Sequence, residues 1–417
     1  MLNEKGIREL AYMVEIDSIE PIIGSDNCEA AVVGGWRVMV KKDTFKPKDL
    51  AIYFEIDSQV DAGKPEFYFL SSKHGKIKTQ KYRFGGKGNF LSQGLLMHPV
   101  DLNWKVLEDG QVLNPATKEK YRAGSFLTEV LGVTYAEAAD NTRKADSENK
   151  YKKMAQRHQK LFSKKPIRWL MRKEWGRKML FVFFGKQKDK KNAWPAWVVK
   201  TDEERCQNLP HLFPGDGTEW IATEKIDGTS TTFTMKKNKS KKEFYVCSRN
   251  VVFDKPDKKC FYDSNVYLEM AEKYNIENVL TDILTKELCI SGYILNQGIE
   301  FVTIQGETYG EGVQKRTYGI KGHDFKVFNL IFGFSDGRVI RFSPIEMTEI
   351  LSLFDIPCVP IVDENFQIPA TCDELLQIAA GPSALDGVAR EGLVFRTFDG
   401  ARSFKAVDNG FLMKYHG

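Results

Sequence analysis

Glu224-Lys225-Ile226-Asp227-Gly228-Thr229-Ser230 places a lysine beside two carboxylates and just ahead of a glycine turn. It directly follows the strand-like run Trp220-Ile221-Ala222-Thr223. A primary amine in that setting is suited to a covalent lysyl intermediate. To act as a nucleophile it must lose a proton, which a lysine ordinarily holds to a pKa of about 10.4. Nearby cations or burial lower that value. The same residues also fit an ordinary surface turn, so the rest of the chain has to decide.

Downstream come Ser248-Arg249-Asn250, then Gln305-Gly306-Glu307-Thr308-Tyr309-Gly310, then Asp324-Phe325-Lys326-Val327-Phe328-Asn329. Arg390-Glu391-Gly392-Leu393-Val394-Phe395 and Ser403-Phe404-Lys405 follow. They sit among strand-like runs at Ser230 to Met235, Phe244 to Val246, Phe301 to Ile304, Phe325 to Ile331 and Leu393 to Phe395. Helix-like runs lie at Asn265 to Tyr274, Asn278 to Cys289 and Ile345 to Phe354. This mixture predicts an α+β domain, an antiparallel sheet framework with inserted helices.

The blocks, in this order over residues 200–417, resemble the covalent nucleotidyltransferase superfamily of ATP-dependent DNA ligases, RNA ligases and mRNA capping enzymes. Within it the chain is most similar to RNA ligases related to phage T4 RNA ligase 2, and to the branch of the Naegleria and Deinococcus RNA ligases. Thr201-Asp202-Glu203-Glu204-Arg205 and Phe411-Leu412-Met413-Lys414 share that branch's look. The resemblance implies an ATP-dependent RNA ligase with an N-terminal OB domain. It would seal 3′-OH and 5′-phosphate ends, nicks in duplexes above all, through lysyl–AMP. ATP and Mg²⁺ or Mn²⁺ are the implied cofactors. Lys225 would attack the α-phosphorus. Glu224, Arg249 and Phe328 would join Glu307 and Lys405 in binding the nucleotide, with Phe328 stacked on adenine. Asp227 and Glu307 would act near the ribose and the metal, Glu307 and Glu391 would hold the ion, and Lys405 would neutralise charge on the α-phosphate.

Plainer readings stand beside these. Phe328 lies in the apolar run Val327 to Phe332 and suits a core, Glu391 suits a strand start, and Arg249 suits a surface ion pair. Val407 stands where the T4-like pattern has a second lysine, leaving Lys414 or Lys326 to supply that charge. Ser230 stands where that pattern has an amide side chain. The chain ends without space for a further OB domain, which is expected to separate it from DNA ligases and guanylyltransferases. Those enzymes, and a noncatalytic nucleic-acid-binding protein, are the alternatives.

Upstream of the lysine the character changes. Ala30-Ala31-Val32-Val33, Trp36 to Val40 and Leu50 to Ile56 are short strand-like runs, punctuated by Gly34-Gly35 and Lys46-Pro47-Lys48-Asp49. Such runs predict a small OB-like barrel. Lys76 to Phe84 alternates cations with apolar and aromatic residues, which on one strand would put bases on one face. Asn141 to Asn192 holds 18 Lys and Arg against 4 Asp and Glu, a local charge of about +14. The expected division is therefore 1–133 for the barrel, 134–200 for a basic helical connector and 201–417 for the adenylyltransferase domain. RNA or an RNA-containing nicked duplex is the expected partner, with no obligate protein partner.

No run reaches the roughly 20 apolar residues a spanning helix needs. A cytoplasmic or nuclear protein is expected. The seven cysteines are scattered without a C-x-x-C pair, which argues against a zinc site and for reduced thiols.

Overall fold

The computed structural model describes residues 9–136, 194–199, 202–238, 241–249, 251–253, 264–285, 289–290, 293–294 and 298–415, together with residues 170 and 262. The basic run from Asn141 to Asn192 lies outside these, Leu170 apart. The chain forms two units. One comprises Met1–Ile56, Lys78–Leu131 and Asn192–Gly417, and the other Asp57–Ile77 and Gly132–Lys191.

The N-terminal part of the first unit is a small β structure. Strands β1 (Ala11–Glu15), β5 (Leu50–Phe54) and β10 (Leu95–Met97) form one sheet, and β2 (Ser18–Pro21), β3 (Cys28–Val33) and β4 (Trp36–Lys41) another. In β4 the buried residues Trp36, Val38 and Val40 alternate with partly exposed Arg37 and Met39, the period-two pattern of a half-buried strand. Gly34, with φ +56°, makes the two-residue turn from β3 to β4. Tyr12, Val14, Ala31, Trp36, Val38 and Tyr53 share the core. Next to β4 lies the hairpin of β8 (Gln80–Arg83) and β9 (Asn89–Ser92). A short helix, α1 (Thr128–Leu131), abuts β1.

The run Lys76 to Phe84 is not one strand. In the second unit β7 (Lys76–Ile77) pairs with β6 (Ser58–Gln59), which also pairs with β14 (Thr134–Tyr135). The chain then breaks at Lys78-Thr79 before β8 pairs with β9. Alternation describes one strand's two faces, but strand partners decide where it ends. Elsewhere in the first unit, β11 (Lys105–Val106), β12 (Val112–Leu113) and β13 (Lys120–Tyr121) form a three-stranded sheet.

The C-terminal part holds two larger sheets. The five-stranded sheet contains β15 (Glu204–Arg205), β16 (Trp220–Lys225), β25 (Ile361–Phe366), β26 (Gly392–Arg396) and β27 (Ser403–Val407), in the order β15-β27-β26-β16-β25. The six-stranded sheet contains β17 (Thr229–Asn238), β18 (Lys241–Ser248), β19 (Val252–Phe253), β22 (Ile299–Gly310), β23 (His323–Phe334) and β24 (Val339–Arg341), in the order β19-β18-β17-β22-β23-β24. Between β19 and β22 the chain also forms the short pair β20 (Cys289–Ile290) and β21 (Tyr293–Ile294). Only β15 and β27, among these strand pairs, run parallel.

Helices α2 (Val266–Lys273), α3 (Ile276–Thr285) and α4 (Pro344–Ser352) cover the six-stranded sheet. In α3, Ile276, Val279, Leu280, Ile283 and Leu284 are buried at helical spacing. Burying each such side chain contributes about 2 kcal/mol. In this part the sequence reading left out α5 (Cys372–Ala379) and α6 (Asn409–Tyr415), as it did α1 upstream. The first has its own signal, a capping box of Thr371 and Glu374.

Contacts tie the β structure to the C-terminal part within the first unit. Trp36 Nε1 donates to Asn208 Oδ1 at 2.7 Å, and Arg37 forks onto Asp373 at 3.1 and 2.9 Å.

Candidate active site

Lys225 is the last residue of β16, a strand flanked on both sides and buried along its length up to that point. The apolar run before the lysine thus sits in the sheet interior, and the amine emerges at the strand's end. Lys225 Nζ donates to Glu391 Oε2 at 2.7 Å, with the lysine side chain 25% exposed and the glutamate 9%. Glu391 directly precedes β26, whose first residue Gly392 pairs with Lys225. A Cβ on Gly392 would meet the Ala406 carbonyl oxygen at 2.2 Å, so glycine lets β26 lie close against β27. Gly228 plays the same part at the turn after the lysine. A Cβ there would meet the Thr308 carbonyl oxygen at 2.3 Å and Glu307 Cγ at 3.0 Å. Both motif glycines are therefore close-approach positions.

The electrostatics differ from the sequence expectation for the lysine. Burial works against its charge, but Glu391, Glu307 and Asp227 together outweigh it and hold the ammonium above its ordinary range. The amine is held protonated here, not poised as a free base. Glu307 shows the other side of this balance. Burial first, then the charges of Glu391 and Asp227, push its carboxyl up to about 8, against the opposing pull of Lys225 and Arg249. Three acidic side chains share one ammonium, and Glu307 relieves the crowding by holding its proton to a higher pH.

Glu307 lies on β22, opposite Ser230 of β17 and Lys326 of β23. The Asp227 amide donates to Tyr318 Oη at 2.7 Å. Phe328 is half-buried beside Ile226, Tyr309, Tyr318 and Val359, so its ring is neither wholly core nor free. Glu224 is buried, and its carboxylate accepts from the Ser383 hydroxyl and, at 2.8 Å, from the Ala384 amide. These bonds turn Glu224 towards the loop before β26.

A residue without an assigned role joins the two remaining cations. Asp202 takes Lys405 Nζ on one oxygen at 3.1 Å and Arg249 Nη2 on the other at 3.0 Å. Burial, with Arg205 and Lys225 nearby, holds the Lys405 ammonium below its ordinary range despite Asp202. Asp202 lies in the run singled out before the lysine, but its pairing is long-range and has no local signal. Beneath it, Glu203 accepts from Ser403 Oγ, from Arg341 at 2.8 Å and from Arg396 at 3.4 Å. Arg341 continues to Asn329 at 2.9 Å, and Asn329 to Gln305 at 3.0 Å. This buried chain cross-links the two sheets. As for the position of Val407, the side chain is buried, and Lys414 is exposed with its ammonium over the Tyr415 ring.

Among the described residues, no three His, Cys, Asp or Glu side chains form a cluster that could hold a metal ion by themselves. Glu307 and Glu391 nevertheless suit a divalent ion that takes one or two carboxylates and completes its shell with water and phosphate. The elevated carboxyl of Glu307 marks the charge such an ion would relieve.

The family profile for RNA ligase matches residues 218–416. This part of the chain is an RNA ligase domain. An OB-fold domain profile matches residues 10–100 of this ligase. Naegleria gruberi RNA ligase, as a mutant with ATP and Mn, is 25% identical with a TM-score of 0.64, covering 98% of this chain and 100% of that one. A mutant of the same ligase with AMP and Mn is 25% identical with a TM-score of 0.65, over 98% and 99%. The form with PPi is 25% identical with a TM-score of 0.62, over 98% and 99%. No curated protein sequence matches the chain.

Proposed function

We propose that this ligase uses ATP to join a 3′-OH end to a 5′-phosphate end of RNA, nicked duplexes foremost, through AMP carried on Lys225. The observation that carries the reading is the Lys225–Glu391 contact at 2.7 Å with Glu307 in electrostatic reach, at the positions of the lysine and glutamate–glycine blocks. The Naegleria relative's structures with ATP, AMP and PPi, each 25% identical, support the choice of nucleotide.

In the first step the Lys225 amine attacks the ATP α-phosphorus. The N–P bond forms as the P–O bond to pyrophosphate breaks. Lys405 and Arg249, one partly buried and one exposed, meet phosphate oxygens in place of Asp202. Donors fixed towards charge that grows in the transition state contribute about 3 kcal/mol each. The half-buried ring of Phe328 offers a face for adenine. Glu307 and Glu391 would hold Mg²⁺ or Mn²⁺. Bound there, that ion would supply positive charge to the phosphates and weaken the carboxylates' hold on the lysine's proton. In the second step AMP passes to the 5′-phosphate of the strand, and in the third the 3′-OH displaces it.

The polynucleotide is assigned to the N-terminal OB domain at 1–133 and the connector at 134–200, ahead of the adenylyltransferase domain at 201–417. The β8–β9 hairpin carries exposed Arg83 and Lys87 and partly exposed Lys81, with Tyr82 opposite Phe90. Cations beside aromatic rings suit a phosphate backbone and unstacked bases. Among the described residues no helix is long and apolar enough to cross a membrane. A cytoplasmic or nuclear enzyme fits this reading.

Incubation with α-labelled ATP or GTP and Mg²⁺ or Mn²⁺ tests the chemistry. Covalent label from ATP, lost in Lys225→Ala, is expected. Label from GTP would point to capping, and no label to a binding protein. A panel of nicked duplexes with RNA or DNA on each side then tests the substrate.

A further inference from the structure

Two of the cysteines, far apart in sequence, meet in space. Cys206 follows β15 and is fully buried, and Cys372 is the first residue of α5 and partly exposed. Their sulfurs lie 3.8 Å apart and share a thiol hydrogen bond. The hydrogen bond between the two thiols favours thiolate at Cys372, and Arg37, which pairs with the adjacent Asp373, adds to it against burial and the Asp373 charge. The Gly34-Gly35 turn of the barrel covers the pair, since a Cβ on Gly35 would meet Cys372 Sγ at 2.6 Å.

We infer that Cys206 and Cys372 form an oxidation site that closes to a disulfide with a peroxide as oxidant. The Cys372 thiolate attacks one peroxide oxygen, an S–O bond forms, the O–O bond breaks and water leaves after protonation. The Cys206 sulfur then attacks the sulfenic sulfur, an S–S bond forms, and the second water leaves with the remaining proton. One peroxide is reduced to two waters as two thiols lose two protons and two electrons.

Closure draws the sulfurs from 3.8 Å to about 2 Å. Cys206 directly follows Arg205 of β15, which is in register with Lys405 of β27 and lies three residues after Asp202. Oxidation therefore tugs on the segment whose Asp202 holds the two phosphate-facing cations. This consequence rests on the proposed roles of Lys405 and Arg249. The disulfide itself does not.

The reduced full-length protein is exposed to a small molar excess of hydrogen peroxide, alkylated, digested without reductant and mapped by mass spectrometry. A peptide pair joined through Cys206 and Cys372 is expected before any other cysteine is modified. Cys206→Ser should instead accumulate a dimedone-reactive Cys372. Cys372→Ser, at a partly exposed position, should stay folded and form no such link. Adenylation with labelled ATP should fall at least threefold on oxidation of the wild type and recover with dithiothreitol, and Cys372→Ser should be insensitive. Cys372 alkylated normally after peroxide, or linked as readily to another cysteine, would overturn the site. A complete Cys206–Cys372 link with unchanged adenylation would overturn the control it exerts.

Discussion

Lys225→Ala tests more than the nucleophile, because the structure makes this ammonium the counter-ion of a carboxylate group. Its Nζ lies 2.7 Å from Glu391, and Glu307 and Asp227 also act on it. Removing one partner of a buried ion pair costs about 3–5 kcal/mol, because the other charge stays behind. Lys225 is 25% exposed, so solvent screens part of this, and about 2–4 kcal/mol is expected. The loss should depend on pH in a definite sense. Glu307 in the folded enzyme titrates near 8, well above the ordinary carboxyl value. Between those two values the native state binds more protons than the unfolded one, so this group's contribution falls as pH rises. Without Lys225 the carboxyl rises further. The variant's deficit should be smallest near pH 5 and grow towards pH 8. Manganese at a hundredfold the variant's dissociation constant should stabilise the variant by about 2.7 kcal/mol, and the gap should narrow because the wild type, whose Lys225 already offsets the carboxylates, binds the ion less tightly and gains less. The assay is urea unfolding of wild type and variant at pH 5 and 8, with and without MnCl₂, beside adenylation with labelled ATP. Adenylation should vanish in the variant. An equal deficit at both pH values with no response to manganese would refute the electrostatic unit.

Lys405→Ala should keep the fold and lower the adenylation rate about a hundredfold, in keeping with a loss of about 3 kcal/mol of transition-state stabilisation. Near-normal adenylation in the folded variant would move that role to another cation. Asp202→Asn should lower the KM for ATP several-fold, since the carboxylate that now holds Lys405 and Arg249 no longer competes with phosphate. An unchanged KM with a reduced rate would instead make Asp202 a positioning residue for Lys405. Neutralising Lys81, Arg83 and Lys87 together should flatten the salt dependence of nicked-duplex binding by up to about 2.7 log units per log salt and leave adenylation unchanged. An unaltered slope would remove the β8–β9 hairpin from the RNA interface.

Local pattern decided much about this protein before any coordinates. The apolar run Trp220 to Thr223 and the glycine after Asp227 mark a strand that delivers a lysine to a turn, and the strand and turn are where the sequence puts them. Alternation in Trp36 to Val40 and helical spacing in Ile276 to Leu284 likewise report which face meets the core. Such features are legible because each depends on residues a few positions apart. What needed the tertiary structure is everything set by strand partners and by charge at close range. Lys76 to Phe84 reads as one strand, yet its halves pair with Ser58–Gln59 and Asn89–Ser92. Lys225 reads as an amine to be activated, yet its environment sums three acidic side chains that lie up to 166 residues away and hold it charged. Asp202 finds Lys405 across 203 residues, and Cys206 finds Cys372 across 166. A sequence specifies which groups can ionise or donate. Their protonation and pairing depend on distance and burial, which exist only once the sheets have closed on one another.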